Sequence, residues 1–245
     1  MIIVKYAEIA IKGKNRVDFE RKLRENIKDC IKINRIPFEK VRRMRGRILI
    51  YTDQECPQLK NVFGIASFSY AKRYSQDLQT IKEEALKLYK KGTFKVFVKR
   101  SDKVLKNSME LAAEIGAYIV EKTNAPVDVK NPETKINVEL FNHFAYLYTE
   151  TNQGPGGLPI GSDSNVILLL QNKDSIEAGL RIFKRGCSLD VYKEKDIDYS
   201  KLKEYEYGFR IKELEEMPEE PEAVIVSDKV DSIKDYPYFV LRPLI

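Results

Sequence analysis

Residues 154–162 read Gly154-Pro155-Gly156-Gly157-Leu158-Pro159-Ile160-Gly161-Ser162, and they separate two differently built parts of the chain. Four glycines and two prolines within eight residues favour neither a helix nor a central strand, because glycine adds backbone freedom and proline lacks an N–H donor. The run is typical of a turn-rich connection and indicates a domain boundary.

A strand, a polar loop and a helix are predicted after this run. Apolar residues fill 166–170, and the loop Gln171-Asn172-Lys173 follows. Asp174 then stands where it would N-cap the helix, whose apolar face carries Ile176, Leu180 and Phe183. A strand, a loop and a helix N-terminus in this order form the layout with which α/β nucleotide-binding domains hold phosphates.

These segments resemble the ThiI family, the tRNA 4-thiouridine synthetases. The similar features are the Gly-Gly-Leu-Pro-Ile-Gly-Ser run, the buried strand, the loop ending in Asp174-Ser175 and the helix ending in Lys184-Arg185-Gly186. In that family the loop reads Ser-Gly-Gly-x-Asp-Ser and wraps the pyrophosphate of ATP. Here only the last two residues match, so the resemblance implies a degenerate PP-loop in which Asp174 and Ser175 are the remnant of a nucleotide site.

The side chains of Gln171 and Asn172 stand where glycines would let backbone N–H groups approach a phosphate closely. An ordinary strand-to-helix turn is therefore the expected structure of this loop. ATP binding stays open as the alternative, because Lys173 supplies a point charge and Ser175 lies at a helix N-terminus.

Composition bounds the class of protein. With 245 residues and 43% apolar residues, the chain can fill one large or two to three small domains. No run approaches the ~18 apolar residues of a membrane span, and no signal sequence opens the chain, so a cytoplasmic protein without a membrane partner is expected. Neither a disulfide framework nor a metal site is indicated, since Cys30, Cys56 and Cys187 are far apart and His143 is the single histidine.

The net charge of +6 is spread unevenly along the chain. Residues 1–72 carry 17 Lys+Arg against 8 Asp+Glu, residues 73–165 carry 13 against 12, and residues 166–245 carry 13 against 17. A strongly cationic segment attracts polyanions such as nucleic acids. The first segment is therefore the candidate for polyanion binding.

A basic loop ends the first predicted strand, which spans Met1–Ile11. Its residues Lys12, Lys14, Asn15 and Arg16 surround Gly13 and precede a helix, whose unpaired N–H groups add to the attraction for a phosphate. A solvated turn is the alternative. The stretch from Tyr6 to Arg16 also resembles the start of ThiI-family proteins, which have the pattern Tyr-x-Glu-Ile-x-x-Lys-Gly-Lys-Asn-Arg.

A second basic cluster follows the first predicted helix, whose apolar stripe is Phe19, Leu23, Ile27 and Ile31. A strand predicted at 48–52 is preceded by Arg42, Arg43, Arg45 and Arg47. Guanidinium groups fit phosphate as a fork, which favours RNA contacts, although a charged edge that discourages strand pairing is the alternative. The order of elements up to Tyr70 favours a ferredoxin-like α+β domain at residues 1–72.

Helices and strands alternate in the next segment and favour an α/β domain at residues 73–162. Strands are predicted at 94–98, at 127–129 and, as a hairpin with His143 in its turn, at 136–141 and 144–149. The segment resembles the THUMP domain, a tRNA-binding module shared by ThiI-family proteins and other tRNA-modifying enzymes. Both this resemblance and their place at a strand end favour RNA contacts by Lys99, Arg100 and Lys103.

Residues 163–245 are expected to form a short, incomplete PP-loop-like α/β domain. Further strands are predicted at 187–192 and 223–227. The last residues, 241–245, resemble a stretch from the middle of the family's catalytic domain, so a truncated domain is expected. Family members carry a reactive cysteine in this domain, but Cys187 is not in the matching context and is predicted to pack as a small apolar side chain.

Three functions follow from these observations. The first is a tRNA-binding protein of ThiI ancestry with no catalytic residues, metal or cofactor of its own. The second is a divergent tRNA 4-thiouridine synthetase that uses ATP and Mg²⁺ together with a partner protein supplying catalysis. The third is a protein-interaction surface formed by the acidic C-terminal region. The altered loop favours the first, and analogy with the family adds a homodimer as an expectation.

Overall fold

The computed structural model describes residues 1–11, 13–44, 46–101 and 106–245. They form two compact units, a small unit of residues 1–2 and 69–151 and a large unit of residues 3–68 and 152–245. Each unit has a hydrophobic core of its own. Within the described ranges, no helix combines the length and the apolar character that crossing a membrane requires.

A ferredoxin-like α+β domain opens the chain, as predicted. Its elements are β1 (Ile2–Lys5), α1 (Arg16–Ile33), β2 (Lys40–Met44), β3 (Arg47–Tyr51) and β4 (Ser67–Tyr70). The strand order is β2-β3-β1-β4. A 3₁₀ turn at Pro57–Asn61 stands where the ferredoxin-like β-α-β-β-α-β order has its second helix.

Helix α1 forms on the apolar stripe that the sequence predicts. Leu23, Ile27 and Ile31 are fully buried and Phe19 is half-buried, so the helix lays one face on the core. Burying each large aliphatic side chain contributes about 1.5 to 3 kcal/mol. Cys30 is also fully buried beside this stripe.

The strand predicted over Met1–Ile11 is wrong beyond Lys5. A 3₁₀ turn spans Glu8–Ile11 and a second one spans Gly13–Asn15, so α1 follows a tight turn rather than an open loop. Ile9 is fully buried from the first of these turns. Ile9 falls at the spacing expected of an apolar residue in a strand. A buried residue in a 3₁₀ turn is also apolar, so this spacing does not distinguish the two structures.

The arginine-rich segment is a hairpin. Strand β2 pairs antiparallel with β3, from Lys40 opposite Tyr51 to Met44 opposite Arg47. The sequence predicted only the second of these strands, because charged residues mask the period of β2.

The small unit is a four-stranded sheet with two helices. Its elements are β5 (Lys72–Ser75), α2 (Leu78–Leu88), β6 (Phe94–Arg100), α3 (Ser108–Thr123), β7 (Thr134–Phe141) and β8 (Phe144–Tyr148). The strand order is β5-β8-β7-β6, with β6 parallel to β7 and the other pairs antiparallel. Ile81 and Ala85 of α2, and Leu111, Ile115 and Ile119 of α3, are buried in one core.

Two predictions for the small unit, the turn at His143 and the strand at 127–129, have different outcomes. His143 lies in the β7–β8 turn as predicted, where it and Asn142 both adopt positive φ angles, of 63° and 51°. The strand predicted at 127–129 is wrong, since Val127 makes a single bridge to Phe94 and both valines there are largely exposed. Two valines separated by one polar residue are too short a pattern to identify a strand.

The remainder of the large unit is built on a parallel sheet. Its elements are β9 (Asn152–Gln153), β10 (Asn165–Leu170), α4 (Asp174–Arg185), β11 (Ser188–Lys193), α5 (Ser200–Lys203), β12 (Glu213–Leu214), β13 (Val224–Ile225) and β14 (Val240–Leu241). Strand β9 pairs with β4, whereas the other five strands form a sheet in the order β12-β11-β10-β13-β14. All its pairings are parallel, which confirms an α/β C-terminal region.

The glycine- and proline-rich run 154–162 packs against the end of α4. The backbone N–H of Leu158 donates to the carbonyl of Lys184, and those of Gly161 and Ser162 donate to Gly186. A Cβ on Gly157 would lie 2.4 Å from the carbonyl oxygen of Lys184. Glycine is therefore required here by close backbone approach as well as by turn geometry.

Helix α1 is tied to the 206–210 loop within the large unit. The carboxylate of Asp29 accepts hydrogen bonds from the Gly208 backbone N–H at 2.8 Å and from the Arg210 guanidinium at 3.0 Å. Buried Asn26 donates to the Ile160 carbonyl at 2.9 Å. The ferredoxin-like domain and the parallel-sheet region are thus joined by polar contacts along one face of α1.

Candidate functional site

A group of arginines lies at the edge of the ferredoxin-like sheet and at the start of α1. Arg42 and Arg43 are exposed on β2, the edge strand, and Arg16 is the first residue of α1. Asn15 occupies the N-cap position, is exposed, and makes no side-chain capping bond. We call Arg16, Arg42 and Arg43 the arginine cluster.

Glu20 lies between two members of this cluster, Arg16 and Arg43. It is 6% exposed, and its Oε1 accepts a 2.7 Å hydrogen bond from Nε of Arg16, one turn earlier in α1. Its Oε2 lies 3.5 Å from Nε of Arg43. The Tyr6 hydroxyl donates to Oε1 of Glu20 and accepts from Nη2 of Arg16 at 3.1 Å. Two cations therefore share one buried carboxylate.

This arrangement raises the pKa values of Arg16 and Tyr6. Hydrogen bonds to Tyr6 and Glu20 raise the pKa of Arg16 further above neutrality. Burial, together with the hydrogen bond to Glu20, raises the pKa of Tyr6. Both groups keep their protons throughout the physiological range, so Arg16 remains a permanent cation.

The other basic residues predicted for this face are placed differently. Arg47 is only 7% exposed, inside β3, so it is not available at the surface as the sequence predicted. Its apolar neighbours in β3 are buried with it, because the strand lies in the interior of the sheet. Three predicted contact residues, Lys12, Arg45 and Lys103, lie outside the described residues, as does the side chain of Lys14.

The small unit carries its own basic strand end. Lys99 and Arg100 are the last residues of β6, which is an edge strand of the sheet. Lys99 is exposed and Arg100 is half-buried. Both residues belong to the small unit, whereas the arginine cluster belongs to the large unit.

The parallel sheet has the strand order of a doubly wound nucleotide-binding fold. Numbered along the chain from β10, its strands follow the order 3-2-1-4-5. In such sheets ligands bind beyond the carboxyl ends of the strands where the order reverses, which here lies between β10 and β13. The loop at 171–173 and residues 226–229 lie at this point.

The loop after β10 satisfies its own N–H groups. Oγ of Ser175, which is fully buried, accepts from the backbone N–H of Gln171 at 3.2 Å and of Asn172 at 3.4 Å. Oδ1 of Asn172 accepts from the N–H of Asp174 at 2.8 Å. The backbone N–H groups of Gln171, Asn172 and Asp174 are thus engaged within the loop, and a phosphate bound here would have to compete with these contacts.

Asp174 does not cap the helix, contrary to the prediction. It is the first residue of α4, after the N-cap residue Lys173, and its carboxylate pairs with Nζ of Lys229 at 2.6 Å. Asn172 supplies the side-chain acceptor instead, because its short amide reaches the N–H two residues further along. Ser175 also contacts the hydroxyl of Ser227 at 3.2 Å.

Hydrogen bonds join four side chains in the crevice between β10 and β13. The Tyr236 hydroxyl lies 3.0 Å from Oδ1 of Asp228 and within hydrogen-bond distance of the Gln171 amide. Nε of Arg242 donates to Oδ2 of Asp228 at 3.2 Å. We call Gln171, Asp228, Tyr236 and Arg242 the crevice network. Burial by itself would raise the pKa of Asp228, but the hydrogen bonds from Lys234 N–H, Tyr236 and Arg242 outweigh it and lower this pKa.

Cys187 is half-buried and packs against the core of the parallel-sheet region. Burial raises the pKa of its thiol, and the nearby carboxylates of Asp163 and Glu222 raise it further. A thiol of this kind is a poor nucleophile at neutral pH, because the thiolate is the reactive form. In the part of the chain that the structure describes, no cluster of three metal-binding side chains occurs.

Glu20, Asp228 and Tyr236 are central to these sites but were not predicted from the sequence. Glu20 carried a signal, since it stands four residues after Arg16 on a predicted helix and such pairs face each other. Asp228 also carried one, because it directly follows the carboxyl end of the strand predicted at 223–227. Nothing local in the sequence connects Tyr236 to Gln171.

Comparisons with known proteins agree with this architecture. Residues 1–69 match the family model of the ThiI ferredoxin-like domain, and residues 75–150 match that of the THUMP domain. A "Probable tRNA sulfurtransferase" from Clostridium kluyveri is 39% identical over 200 residues, which cover 78% of this chain and 51% of the relative. A protein of the same name from Caldanaerobacter subterraneus subsp. tengcongensis is 36% identical over 236 residues, with coverages of 86% and 61%. The chain spans about half the length of the first curated relatives that it matches.

Solved structures extend the comparison to the whole chain. The crystal structure of PH1313 from Pyrococcus horikoshii Ot3 is similar over 100% of this chain and 94% of that one, with a TM-score of 0.86 and 28% identity. A 4-thiouridine synthetase in complex with RNA and bound ATP is similar over 78% of this chain and 52% of that one, with a TM-score of 0.66 and 35% identity. The chain therefore combines the ferredoxin-like domain of the ThiI family with a THUMP domain.

Proposed function

We propose that this chain is a tRNA-binding protein of the ThiI family that does not carry out ATP-dependent sulfur transfer by itself. The observation that carries the proposal is the arginine cluster on the edge of the ferredoxin-like domain. Arg42 and Arg43 are exposed there, and the segment that contains them carries 17 Lys+Arg against 8 Asp+Glu. Clustered guanidinium groups are the side chains best suited to phosphate.

The THUMP domain carries a second proposed contact with RNA. Lys99 and Arg100 end an edge strand, and Lys99 is exposed there. The deep groove of an A-form helix hides base edges from side chains. Recognition is therefore proposed to depend on RNA shape and backbone phosphates. The similar 4-thiouridine synthetase in complex with RNA supports RNA as the class of ligand.

The absence of ATP chemistry is proposed on chemical grounds. The side-chain oxygens of Ser175 and Asn172 accept hydrogen bonds from backbone N–H groups of the loop, and the Gln171 side chain reaches into the crevice. The thiol of Cys187 has a raised pKa, which is opposite to what a sulfur carrier needs. ATP and Mg²⁺ are accordingly not proposed as cofactors.

The second candidate function is a divergent tRNA sulfurtransferase. Two observations favour it: the sheet keeps the order of a nucleotide-binding fold, and Asp174 and Ser175 remain at the start of α4. In that case a partner protein, or a second copy of the chain, supplies the phosphate-binding groups and the reactive sulfur.

One experiment separates these two functions. Unmodified tRNA is titrated with the chain at fixed salt, and the same mixture is then assayed for tRNA-dependent ATP hydrolysis and for 4-thiouridine. The first function predicts saturable tRNA binding that weakens in the Arg42→Ala and Lys99→Ala variants, with no ATP consumption. Turnover of ATP that depends on tRNA establishes the second function, and failure to bind tRNA contradicts both.

A further inference from the structure

The two guanidinium groups that flank Glu20 are held more firmly than surface arginines usually are. Arg16 is fixed through Nε by Glu20 and through Nη2 by Tyr6. Arg43 is fixed by Oε2 of Glu20 and by the backbone carbonyl of Val17, which accepts from Nη1 at 3.3 Å. A guanidinium has five N–H donors, more than these contacts use.

Burial makes the central carboxylate an anchor. Glu20 is 6% exposed, whereas the side chains of Arg16 and Arg43 are 29% and 38% exposed. The carboxylate is therefore covered while both cations still reach solvent. One acid between two arginines leaves a net positive charge, so the group continues to attract anions.

We propose that Glu20 is a positioning residue that fixes Arg16 and Arg43 as a paired receptor for backbone phosphates of RNA. This inference rests on the proposed function, because it assumes that the ferredoxin-like domain binds RNA. Immobilising a long, flexible side chain on a ligand opposes binding, and a side chain already held in place avoids that loss of entropy. Glu20 thus strengthens RNA binding although its charge repels the ligand.

The sign of one substitution separates positioning from simple electrostatics. Glu20→Gln removes a negative charge beside the proposed interface and keeps the size of the side chain. If the net potential alone matters, this variant binds tRNA more tightly. If Glu20 positions the arginines, it binds more weakly, by about tenfold, and the dependence of affinity on salt becomes shallower.

Glu25→Gln is the matched control. Glu25 is an exposed residue of the same helix, so its substitution changes the charge by the same amount without contact with the arginine cluster. It is expected to leave tRNA affinity unchanged or slightly higher. Tyr6→Phe tests the same network without a charge change, because it removes only the hydroxyl shared by Glu20 and Arg16, and a loss of about threefold is expected.

The experiment measures tRNA affinity across a salt series for wild type, Glu20→Gln, Glu25→Gln and Tyr6→Phe, with folding checked by circular dichroism. A double-mutant cycle adds Arg16→Ala, which is expected to weaken binding less in the Glu20→Gln background than in wild type. The outcomes separate the two claims. If wild type binds tRNA and both Glu20→Gln and Tyr6→Phe bind as well or better, the positioning role is overturned and RNA binding stands. If Glu20→Gln does not fold, Tyr6→Phe decides alone. If wild type does not bind tRNA, the proposed function and this inference are both overturned.

Discussion

Oγ of Ser175 accepts a hydrogen bond from the backbone N–H of Gln171 across 3.2 Å, and this contact closes the loop at the carboxyl end of β10. In a phosphate-wrapping loop the same N–H faces the ligand. A triphosphate entering this crevice would have to break the loop's own hydrogen bonds and displace Tyr236 from Gln171. Replacing these hydrogen bonds by contacts with the triphosphate would contribute little net binding free energy, because each hydrogen bond gained is offset by one lost.

Calorimetric titration with ATP and Mg²⁺ is therefore expected to show no saturable heat up to millimolar nucleotide. Binding of tRNA by the same protein sample serves as the control for folding. Micromolar affinity for ATP would contradict this prediction and would favour the sulfurtransferase.

Gly208 is expected to be among the most sensitive positions for stability. Its φ is +81°, and an added Cβ would lie 1.9 Å from Oδ1 of buried Asn26. Gly208→Ala should lower the free energy of unfolding by about 3 kcal/mol or more, since backbone strain and overpacking add together. Chemical denaturation followed by circular dichroism measures the change.

Gly46 is a matched control for this substitution. Its φ is also +81°, but an added Cβ would have nothing within 4 Å. Gly46→Ala should therefore lose only the conformational part, about 1 to 2 kcal/mol. Equal losses in the two variants would show that the contact with Asn26 does not constrain the 206–210 loop.

Asp228 gives a pH-dependent contribution to stability. Its carboxyl pKa is lowered in the folded state, so its stabilising effect is present above the ordinary carboxyl pKa of about 4 and is lost as the pH falls through the folded-state value. Asp228→Asn should lower the free energy of unfolding by about 2 kcal/mol at pH 7, and the difference from wild type should shrink below pH 4. Urea denaturation at pH 7 and pH 3 provides the comparison.

Asp231→Asn is the corresponding control, because Asp231 is exposed three residues further along. Its effect should stay within about 0.5 kcal/mol at both pH values. A constant difference between Asp228→Asn and wild type across this range would contradict the role given to the carboxylate.

Cys187 should react slowly with alkylating agents at neutral pH. Burial and two carboxylates raise the pKa of its thiol, so the thiolate fraction is small at pH 7 and grows as the pH rises. Labelling by iodoacetamide, located by mass spectrometry, should be slower than for a cysteine peptide at pH 7 and should accelerate towards pH 9.5. Cys187→Ser should leave tRNA binding unchanged, and rapid labelling at pH 7 would contradict the structural role.

The sequence predicted those parts of the fold that depend on apolar periodicity. The stripe of α1, including Leu23 and Ile27, and the hairpin turn at His143 are where the pattern places them. The 3₁₀ turn around Ile9 was not predicted, because its apolar residue has the spacing of a strand.

The residues of the candidate sites were harder to predict from the sequence than the helices and strands. The exposed arginines Arg42 and Arg43 were identified from charge density, but the same reasoning included Arg47, which is buried. Charge density does not report which face of a strand a side chain occupies. The crevice network joins Gln171 to Tyr236 across 65 residues, and no local pattern predicts such a contact.

Salt dependence of tRNA affinity tests the central claim most directly. The logarithm of the binding constant for unmodified tRNA, plotted against the logarithm of salt concentration, should fall steeply, with each phosphate contact contributing roughly 0.7 to 0.9 to the slope. The double variant Arg16→Ala and Arg42→Ala should reduce that slope by about one to two units. The double variant Lys122→Ala and Lys201→Ala removes two exposed cations outside the proposed contacts and should leave the slope unchanged. Binding that does not depend on salt, or an arginine variant that matches wild type at every salt concentration, would contradict this account.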